Sequence, residues 1–389
     1  MRVLVAFDKF KDAMGAPGAC ETAAGALRAI HPDWLVETCP LTDGGEGFAE
    51  ILTAAAAGLC ESRSVTGPRG APVEAVFGRV PVARIPAGAR AMLALDARAA
   101  APDAKIAVIE MAAASGLALL AESDRDPWQT TTAGTGELIR AAADSAGILL
   151  GVGGSATNDL GLGALGALGL EFLSAEGRAG VPPCPAAWPR IARLRGGPSA
   201  ALPPVRIACD VTNPLLGPRG AAAVYGPQKG LRPGDLARLE QESARIGLMA
   251  CAHFGRSDRL MDTPGAGAAG GLPFGLLTAL PVLLLPGFEL VSTWLDLDAR
   301  IAAADLVVTG EGCFDASSLS GKGPGAIALR ARARGKPVHV FAGKVSAPPA
   351  EGLAVHALTP DGMPLAEALH RTPVHLAAAI ARVFPRERP

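Results

Sequence analysis

Aromatic residues are scarce in this sequence, and neither sign of charge is in excess. Aromatic side chains make up 4% of the 389 residues, with a single tyrosine, so the hydrophobic core must be built from aliphatic side chains. The formal net charge is -1, with 36 basic against 37 acidic residues. Without a basic excess the chain lacks the electrostatic field by which proteins attract nucleic acids, and we expect no nucleic-acid partner.

Cysteine pairs are also missing. The seven cysteines are scattered and none belongs to a C-x-x-C pair, so neither a disulfide framework nor a zinc knuckle is predicted. The first apolar run is too short for a signal peptide and leads directly into charged residues. Residues 270–291 are apolar enough for a membrane span, but three prolines interrupt them and favour a buried helix followed by a strand. We therefore expect a cytoplasmic protein without membrane contact.

The chain is longer than a single hydrophobic core usually supports, so two domains are expected. At both ends, short apolar runs followed by glycine-rich loops and helices predict a parallel sheet. From residue 64 onward, valines among glycines and prolines favour hairpins instead. The predicted fold class is α/β. A discontinuous flavodoxin- or Rossmann-like domain (residues 1–63 and 256–389) carries an inserted mixed α/β domain (residues 64–255), with the active site in the cleft between them.

Residues 151–159 are the strongest single site signal. An apolar strand precedes them and leucines at helical spacing follow, so the glycines lie where a strand passes into a helix. Glycines let the backbone approach a phosphate closely, and the first helical amides and the helix dipole favour an anion. Thr157 or Asn158 is a candidate cap of that helix. An anion-binding site is therefore expected here.

Several known motifs can be compared with this stretch. Gly151-x-Gly153-x-x-Ala156, with Glu171 twenty residues on, fits a dinucleotide fingerprint. However, Thr157-Asn158-Asp159 places a carboxylate where the pyrophosphate would bind. A nicotinamide-dependent hydroxy-acid dehydrogenase stays open as an alternative. The serine-hydrolase elbow, the Walker A loop and the protein-kinase motifs are each incomplete or missing.

Carboxylates, amides and lysines recur beside glycines at the ends of the predicted strands. Mg²⁺ prefers hard oxygen ligands, phosphates are bound by cations and backbone amides, and a hydroxyl nucleophile needs a carboxylate to accept its proton. These residue types therefore indicate phosphoryl transfer. The candidates are Asp8, Lys11, Asp43, Glu46, Asn158, Asp159, Asp210, Asn213, Lys229, Glu311, Asp315 and Lys322.

A series of motifs resembles the bacterial glycerate kinase family and follows the family order. The motifs are Asp8-x-Phe10-Lys11, Asp43-Gly44-Gly45-Glu46-Gly47, Ile109-Glu110-Met111-Ala112, Ser115-Gly116-Leu117, Gly134-Thr135-Gly136-Glu137-Leu138, Gly153-Gly154-Ser155-Ala156-Thr157-Asn158-Asp159, Ala208-Cys209-Asp210-Val211, Gly226-Pro227-Gln228-Lys229-Gly230, and Thr309-Gly310-Glu311-Gly312 with Asp315 and Gly321-Lys322. The resemblance covers nearly the whole chain. It implies ATP-dependent phosphorylation of D-glycerate, usually on the 2-hydroxyl, in a two-domain α/β protein. Phosphorylation of the 3-hydroxyl remains an alternative.

The resemblance and the residue types together suggest roles. The base for the glycerate hydroxyl is expected among Asp8, Asp43, Asp210 and Asp315. Mg²⁺ is expected at Glu311 and Asp315, and charge clamps at Lys11, Lys229 and Lys322. The catalytic set is thus Asp8, Lys11, Asp43, Asp210, Glu311 and Asp315, and the ATP-binding set is Gly153, Gly154, Ser155, Thr157, Asn158, Gln228, Lys229 and Lys322.

Two positions depart from the family pattern. The family commonly has an arginine directly after Thr-Gly-Glu-Gly and a glutamine two residues beyond the aspartate, where this chain has Cys313 and Ser317. Lys9, where serine is common, is expected to supply some of the missing positive charge. These departures bear on substrate preference more than on reaction class. A non-catalytic anion or nucleotide sensor is a further alternative, and the oligomeric state stays open, a homodimer included.

Overall fold

A computed structural model describes residues 1–198, 201–315, 318, 323–346 and 353–386. The strands are β1 Arg2–Phe7, β2 Leu35–Thr38, β3 Leu59–Thr66, β4 Pro72–Pro81, β5 Lys105–Glu110, β6 Gly147–Gly151, β7 Leu170–Leu173, β8 Arg193–Gly196, β9 Val205–Ala208, β10 Val282–Leu285, β11 Leu306–Phe314, β12 Val338–Val345 and β13 Ala354–Ala357. The α-helices are α1 Ala16–Ile30, α2 Phe48–Ala55, α3 Ala87–Leu93, α4 Ala112–Ser115, α5 Ala133–Ala141, α6 Leu162–Ala167, α7 Ala221–Tyr225, α8 Leu236–His253, α9 Leu272–Ala279, α10 Gly287–Trp294, α11 Leu297–Ala303, α12 Gly323–Ala333, α13 Leu365–His370 and α14 Thr372–Val383.

The chain divides into two compact units. Unit 1 consists of residues 1–43 and 291–389, and unit 2 of residues 44–290. The sequence predicts the boundaries elsewhere, at 63/64 and 255/256. The difference arises because α2 packs on β4 and β5, and because β3 and β10 are the outer strands of the unit 2 sheet. The predicted cleft between the two domains stays a prediction.

Unit 1 is built on a parallel five-stranded sheet with the order β13-β12-β11-β1-β2. Counted within the unit, this is the 2-1-3-4-5 order of flavodoxin-like folds, which confirms that prediction. Val3, Val5 and Phe7 of the interior strand β1 pack in one core with side chains of α1 and α14. In such sheets ligands bind beyond the carboxyl ends of the strands, where the strand order reverses. Here that point lies between β1 and β11.

Unit 2 contains a six-stranded sheet with the order β10-β9-β6-β5-β4-β3. Strands β5, β6, β9 and β10 are parallel, whereas β3 and β4 form an antiparallel hairpin. The hairpin confirms the change of pattern that the valine-rich stretch predicts. Strands β7 and β8 pair in a small separate sheet. The core is largely aliphatic, with Ile109, Leu150 and Ile207 buried in the middle strands.

Other local predictions can be compared directly with the structure. Residues 270–291 form α9 and then β10, as expected from their prolines. Throughout the described ranges, every helix falls short of the length and apolarity that a membrane crossing requires. The pair Thr372-Pro373 is typical of a helix cap followed by a proline at the first helical position, but Thr372 does not cap α14. Thr372 Oγ1 instead donates to the Ala368 carbonyl at 2.9 Å, because α13 leads directly into α14 and supplies an acceptor.

Candidate functional site

Three acidic side chains lie beyond the carboxyl ends of neighbouring strands in unit 1. Phe7 is in register with Gly310, so Asp8 and Glu311 follow at adjacent positions of β1 and β11. Asp43 follows β2 on the other side of β1, and its charge acts on both Asp8 and Glu311. We refer to Asp8, Asp43 and Glu311 as the carboxylate cluster. It lies where the strand order of the flavodoxin-like sheet reverses, the position at which this fold binds ligands.

Burial raises the pKa of Asp8 from its ordinary value of 3.8 to about 7. Repulsion from Asp43 is the next largest cause, and Glu311 adds a smaller one. Lys9 opposes them through its charge and through its backbone amide, which donates to Asp8 Oδ1 at 2.7 Å. Lys9 Nζ also lies 3.4 Å from Asp43 Oδ1. A carboxylate whose pKa is close to neutrality is suited to accept a proton at neutral pH.

Glu311 and Asp315 share a partner in Ser318. The Ser318 side chain bonds to the Glu311 carboxylate, and the Ser318 amide donates to Asp315 Oδ1 at 3.3 Å. Burial raises the pKa of Glu311, and the charges of Asp315 and Asp43 raise it further. Glu311 Oε1 is buried and, among the described residues, has no hydrogen-bond partner. A buried carboxylate oxygen without a partner is a fitting ligand for a hard cation.

The donor set in unit 1 is compatible with Mg²⁺ held by few protein ligands. In the part of the chain that the structure describes, no three His, Cys, Asp or Glu side chains are arranged to hold a metal ion by themselves. Mg²⁺ commonly takes one or two protein carboxylates and completes its shell with water and substrate phosphate. Glu311 and Asp315 therefore fit a partial Mg²⁺ site.

The other predicted residues of unit 1 are less closely placed. Lys11 is exposed in the turn that follows β1, and its backbone lies beside Gly312. Cys313 is exposed, with its Sγ 3.7 Å from Ser346 Oγ. Lys322 and Ser317 lie outside the described residues. The structure thus brings together Asp8, Asp43, Glu311 and Asp315.

Two glycine loops of unit 2 contact each other through their backbones. The first glycine loop is residues 44–47 and the second is residues 151–159. Gly153 N donates to the Gly44 carbonyl at 2.9 Å. A Cβ on Gly151 would lie 2.5 Å from the Gly44 oxygen, and a Cβ on Gly153 would lie 2.7 Å from the Gly45 nitrogen. Glycine is therefore required at these two positions because the other loop occupies the space of a side chain.

This arrangement differs from that of a dinucleotide-binding fold. There the helix begins directly at the glycines, and its first amides bind the pyrophosphate. Here α6 begins only at Leu162 and has six residues, while the first glycine loop packs against Gly151 and Gly153. The glycine spacing of the fingerprint thus serves the packing of two loops.

Neighbouring elements hold the second glycine loop through its backbone. Leu117 N donates to the Gly154 carbonyl at 2.8 Å, and Ala156 N donates to the Ser115 carbonyl at 2.9 Å. Thr130 Oγ1 donates to the Ala156 carbonyl at 3.2 Å. The Ser115-Gly116-Leu117 motif therefore lies beside the loop and fixes its path.

A single carboxylate organises the end of the second glycine loop. Asp159 is fully buried, and its oxygens accept from Gly161 N and Gly163 N at 3.1 Å and from Thr132 N and Oγ1 at 2.7 and 2.9 Å. Asp159 thus binds the beginnings of both α5 and α6. The cap predicted at Thr157 or Asn158 is wrong. Those two side chains are buried instead, and Thr157 Oγ1 and Asn158 Oδ1 have no hydrogen-bond partner within the described ranges.

Glu110 is a functional candidate whose role the sequence analysis missed. Its side chain accepts from Ala49 N at 3.0 Å and from the Gly47 amide, so it anchors the first glycine loop at the start of α2. Glu110 is 9% exposed, and burial raises its pKa to about 7, with Glu50 and Glu46 adding repulsion. Its position at the end of the buried strand β5 is the signal by which it could have been found.

Three further predicted residues of unit 2 differ in their surroundings. Asp210 follows β9, and its Oδ2 accepts from Phe288 N at 2.8 Å. Gln228 is exposed. Lys229, in contrast, is 1% exposed, and its Nζ donates to the Thr157 carbonyl at 2.6 Å. Asp210 therefore stabilises the start of α10, whereas Lys229 reaches the second glycine loop from the protein interior.

Comparison with known proteins identifies the family of the chain. The profile of the glycerate kinase family matches residues 3–386. The chain is 38% identical to a glycerate kinase of Bacillus subtilis (strain 168), over 98% of each chain. It is 36% identical to a glycerate 2-kinase of Escherichia coli (strain K12), over 89% of this chain and 86% of that one. A crystal structure assigned as glycerate kinase 2 from Salmonella typhimurium LT2 superposes with a TM-score of 0.73 at 36% identity, covering 98% of this chain and 97% of that one. The chain therefore belongs to the glycerate kinase family, and it is a kinase.

Proposed function

We propose that this chain transfers the γ-phosphoryl group of ATP to the 2-hydroxyl of D-glycerate, giving 2-phospho-D-glycerate and ADP. The observation that carries the proposal is the carboxylate cluster at the ligand-binding edge of a family member's flavodoxin-like sheet. The relative from Escherichia coli is named a glycerate 2-kinase, which supports the choice of the 2-hydroxyl over the 3-hydroxyl.

Asp8 is the proposed base. As the hydroxyl oxygen attacks the γ-phosphorus, Asp8 accepts its proton. The new O–P bond forms, the bond to the β–γ bridging oxygen breaks, and ADP leaves with that electron pair, with no covalent enzyme intermediate. Asp43 and Glu311 keep the proton affinity of Asp8 high. Asp210 is a weaker candidate because it bonds to the Phe288 amide at the start of a helix.

Glu311 and Asp315 would hold Mg²⁺ in this proposal. The unpartnered Glu311 Oε1 supports the assignment. When bound, the metal ion would neutralise phosphate charge and help to orient the γ-phosphoryl group. The two residues also share Ser318, which limits how far their carboxylates can move apart.

The second glycine loop is the proposed phosphate site. Gly154 and Ser155 offer backbone amides and a hydroxyl, whereas the Gly153 amide already donates to the Gly44 carbonyl. Thr157 adds a hydroxyl that has no partner among the described residues, and Asn158 stays a predicted contact. Backbone amides in a glycine-rich turn bind anions without the conformational entropy of long side chains. The ligand is a phosphate of ATP or that of the product. Lys11, Gln228 and Lys322 stay predicted contacts.

Phosphorus-31 NMR tests the whole proposal. The protein, ATP, Mg²⁺ and D-glycerate are expected to give the resonances of ADP and 2-phosphoglycerate. The resonance of 3-phosphoglycerate in its place would overturn the regiochemistry. Nucleotide binding without any phosphoglycerate would overturn the catalytic function in favour of a sensor, and NADH binding without ATP binding would favour the dehydrogenase alternative. A parallel sample with EDTA tests the requirement for Mg²⁺.

A further inference from the structure

Lys229 is a fully buried lysine for which the described part of the chain provides a single acceptor. Its Nζ donates to the Thr157 carbonyl, and the described residues place no carboxylate within ion-pair distance of it. Asp159, the charged group whose field reaches it, already accepts four hydrogen bonds from the starts of α5 and α6. Burying an ammonium without a contacting carboxylate is unfavourable. Stability therefore does not explain the buried Lys229 ammonium, and a functional role has to be sought.

The backbone around Lys229 leaves it little freedom. Lys229 ends the 3-10 turn Pro227–Lys229, which glycines flank on both sides. A Cβ on Gly226 would lie 2.3 Å from the Ala222 oxygen, and a Cβ on Gly230 would lie 2.2 Å from the Arg125 oxygen. This close packing fixes the base of the lysine side chain, so the ammonium has a defined position beneath the second glycine loop.

The acceptor of Lys229 identifies what the ammonium acts on. The Thr157 carbonyl and the Asn158 N–H belong to the same peptide group. That N–H has no acceptor among the described residues, and Thr157 Oγ1 and Asn158 Oδ1 beside it are also unpartnered there. A cation on the carbonyl oxygen polarises a peptide group and strengthens its N–H as a donor. Within the described ranges, the donor to the neighbouring Ala156 carbonyl is the neutral hydroxyl of Thr130.

We propose that Lys229 is a positioning residue for anion binding: its ammonium orients and polarises the 157–158 peptide group and supplies positive charge beneath the second glycine loop. The inference rests on the proposed function, because it assumes that this loop binds a phosphate group. The sequence predicts that Lys229 contacts a phosphate directly. In the proposal Lys229 instead acts on the phosphate through the backbone of the loop.

The proposal has a consequence for proton binding. Burial lowers the pKa of Lys229 from 10.5 to about 7, and Asp159 partly opposes that shift. A phosphate bound to the loop would stabilise the ammonium and raise this pKa again. At pH 8, therefore, binding of a phosphate ligand should draw a proton from solution, whereas at pH 5.5 Lys229 is already charged and should take up none.

Isothermal titration calorimetry with MgADP, in buffers of different ionisation enthalpy, tests the proposal. The wild-type protein is expected to take up part of one proton at pH 8, after correction for the ionisation of ADP, and its difference in uptake from Lys229→Met is expected to vanish at pH 5.5. Lys229→Met, which keeps an unbranched side chain, is expected to weaken MgADP binding at least ~10-fold and to abolish the uptake. Thr130→Val is the matched control, since it removes a neutral donor from the adjacent carbonyl. It should change affinity less than ~3-fold and preserve the uptake.

The outcomes separate the two proposals. Unchanged affinity in Lys229→Met, equal losses in both variants, or no wild-type uptake at pH 8 would each overturn the role of Lys229, whatever the NMR experiment shows. Proton-coupled MgADP binding without phosphoglycerate formation would support Lys229 and overturn the proposed catalytic function. If Lys229→Met does not fold, Lys229→Arg decides the question, because an arginine is already charged at pH 8 and should bind MgADP without the wild-type uptake.

Discussion

The carboxyl ends of β1 and β11 in unit 1 and the carboxyl end of β6 in unit 2 differ in their chemistry. The ends of β1 and β11 carry Asp8 and Glu311, whose charges repel each other and that of Asp43. The end of β6 carries glycines, and because they have no side chains the two glycine loops can pack backbone to backbone. In the proposed function, the first arrangement gives a base its proton affinity, and the second offers amides to a phosphate. The carboxyl ends of parallel strands thus carry two kinds of site chemistry within one chain.

The largest expected effect is that of Asp8, in unit 1, on the catalytic rate. Asp8→Asn should lower kcat at least ~100-fold, because the amide cannot accept the hydroxyl proton. In the wild-type protein the rate should rise with pH and level off above about 7, because the carboxylate must be ionised to act as the base.

The control for Asp8→Asn is Asp12→Asn. Asp12 lies in the same turn with φ at 60°, a conformation that asparagine also adopts, so kcat should stay within about twofold. Initial rates of ADP formation between pH 5.5 and 9 measure both, and an Asp8→Asn rate close to that of Asp12→Asn would remove Asp8 from this role.

The next effect concerns the backbone packing of unit 2. Gly151→Ala places a methyl group 2.5 Å from the Gly44 oxygen, so the free energy of unfolding should fall by about 1 to 3 kcal/mol. Gly234 has open space around it, and Gly234→Ala should change stability by less than about 0.5 kcal/mol. Urea denaturation of both variants provides the comparison. Equal stability of the two would show that the loops do not pack as described.

A third prediction measures what the carboxylate cluster does to stability. The pKa of Asp8 is raised in the folded protein, so its contribution to stability is present below about pH 3.8 and is lost as the pH rises through about 7. Asp8→Asn should therefore increase the free energy of unfolding at pH 8 by at least about 1 kcal/mol and change it little at pH 4. Thermal unfolding at the two pH values tests the sign. A variant that is less stable at pH 8 would contradict the account of Asp8 as a destabilised, functional carboxylate.

The smallest expected effect concerns the pH dependence of stability that arises from two neighbouring histidines in unit 1. His339 Nδ1 and His356 Nε2 are 3.0 Å apart on the adjacent strands β12 and β13. Burial lowers the pKa of both, and the charges of His339 and Arg382 lower that of His356 further. Their contribution to stability is thus present above about pH 6.5 and is lost as the pH falls. His356→Phe should reduce that acid-induced loss, because it removes one of the two groups that must take up a proton in the folded protein. Urea denaturation of the wild type and the variant between pH 5 and 8 measures the difference, and an equal acid-induced loss in both would contradict the prediction.

The sequence was sufficient for the sheets and for the residues that follow their strands. Apolar runs ending in Asp8, in Asp210 and in Gly310-Glu311 identify strand ends, and parallel strands bring their carboxyl ends to one edge. The sequence was insufficient wherever the role of a residue depends on a partner that is far away along the chain. Asp159 serves two helices because Thr132 lies beside it, and Lys229 is buried because another loop covers it. Spacing along a chain does not encode such contacts, which explains the wrong caps and the missed role of Glu110.

The packing of the two glycine loops has a consequence for redesign of this kinase. Where two backbones touch, there is no space for a side chain, so positions 151 and 153 offer no means of altering substrate preference. A mutant library directed at new hydroxy acids should keep those two glycines constant and vary neighbours that carry side chains, such as Glu46, whose carboxylate lies beside Gly154. The backbones of the two loops are therefore fixed, and substrate selectivity must be changed through the side chains beside them.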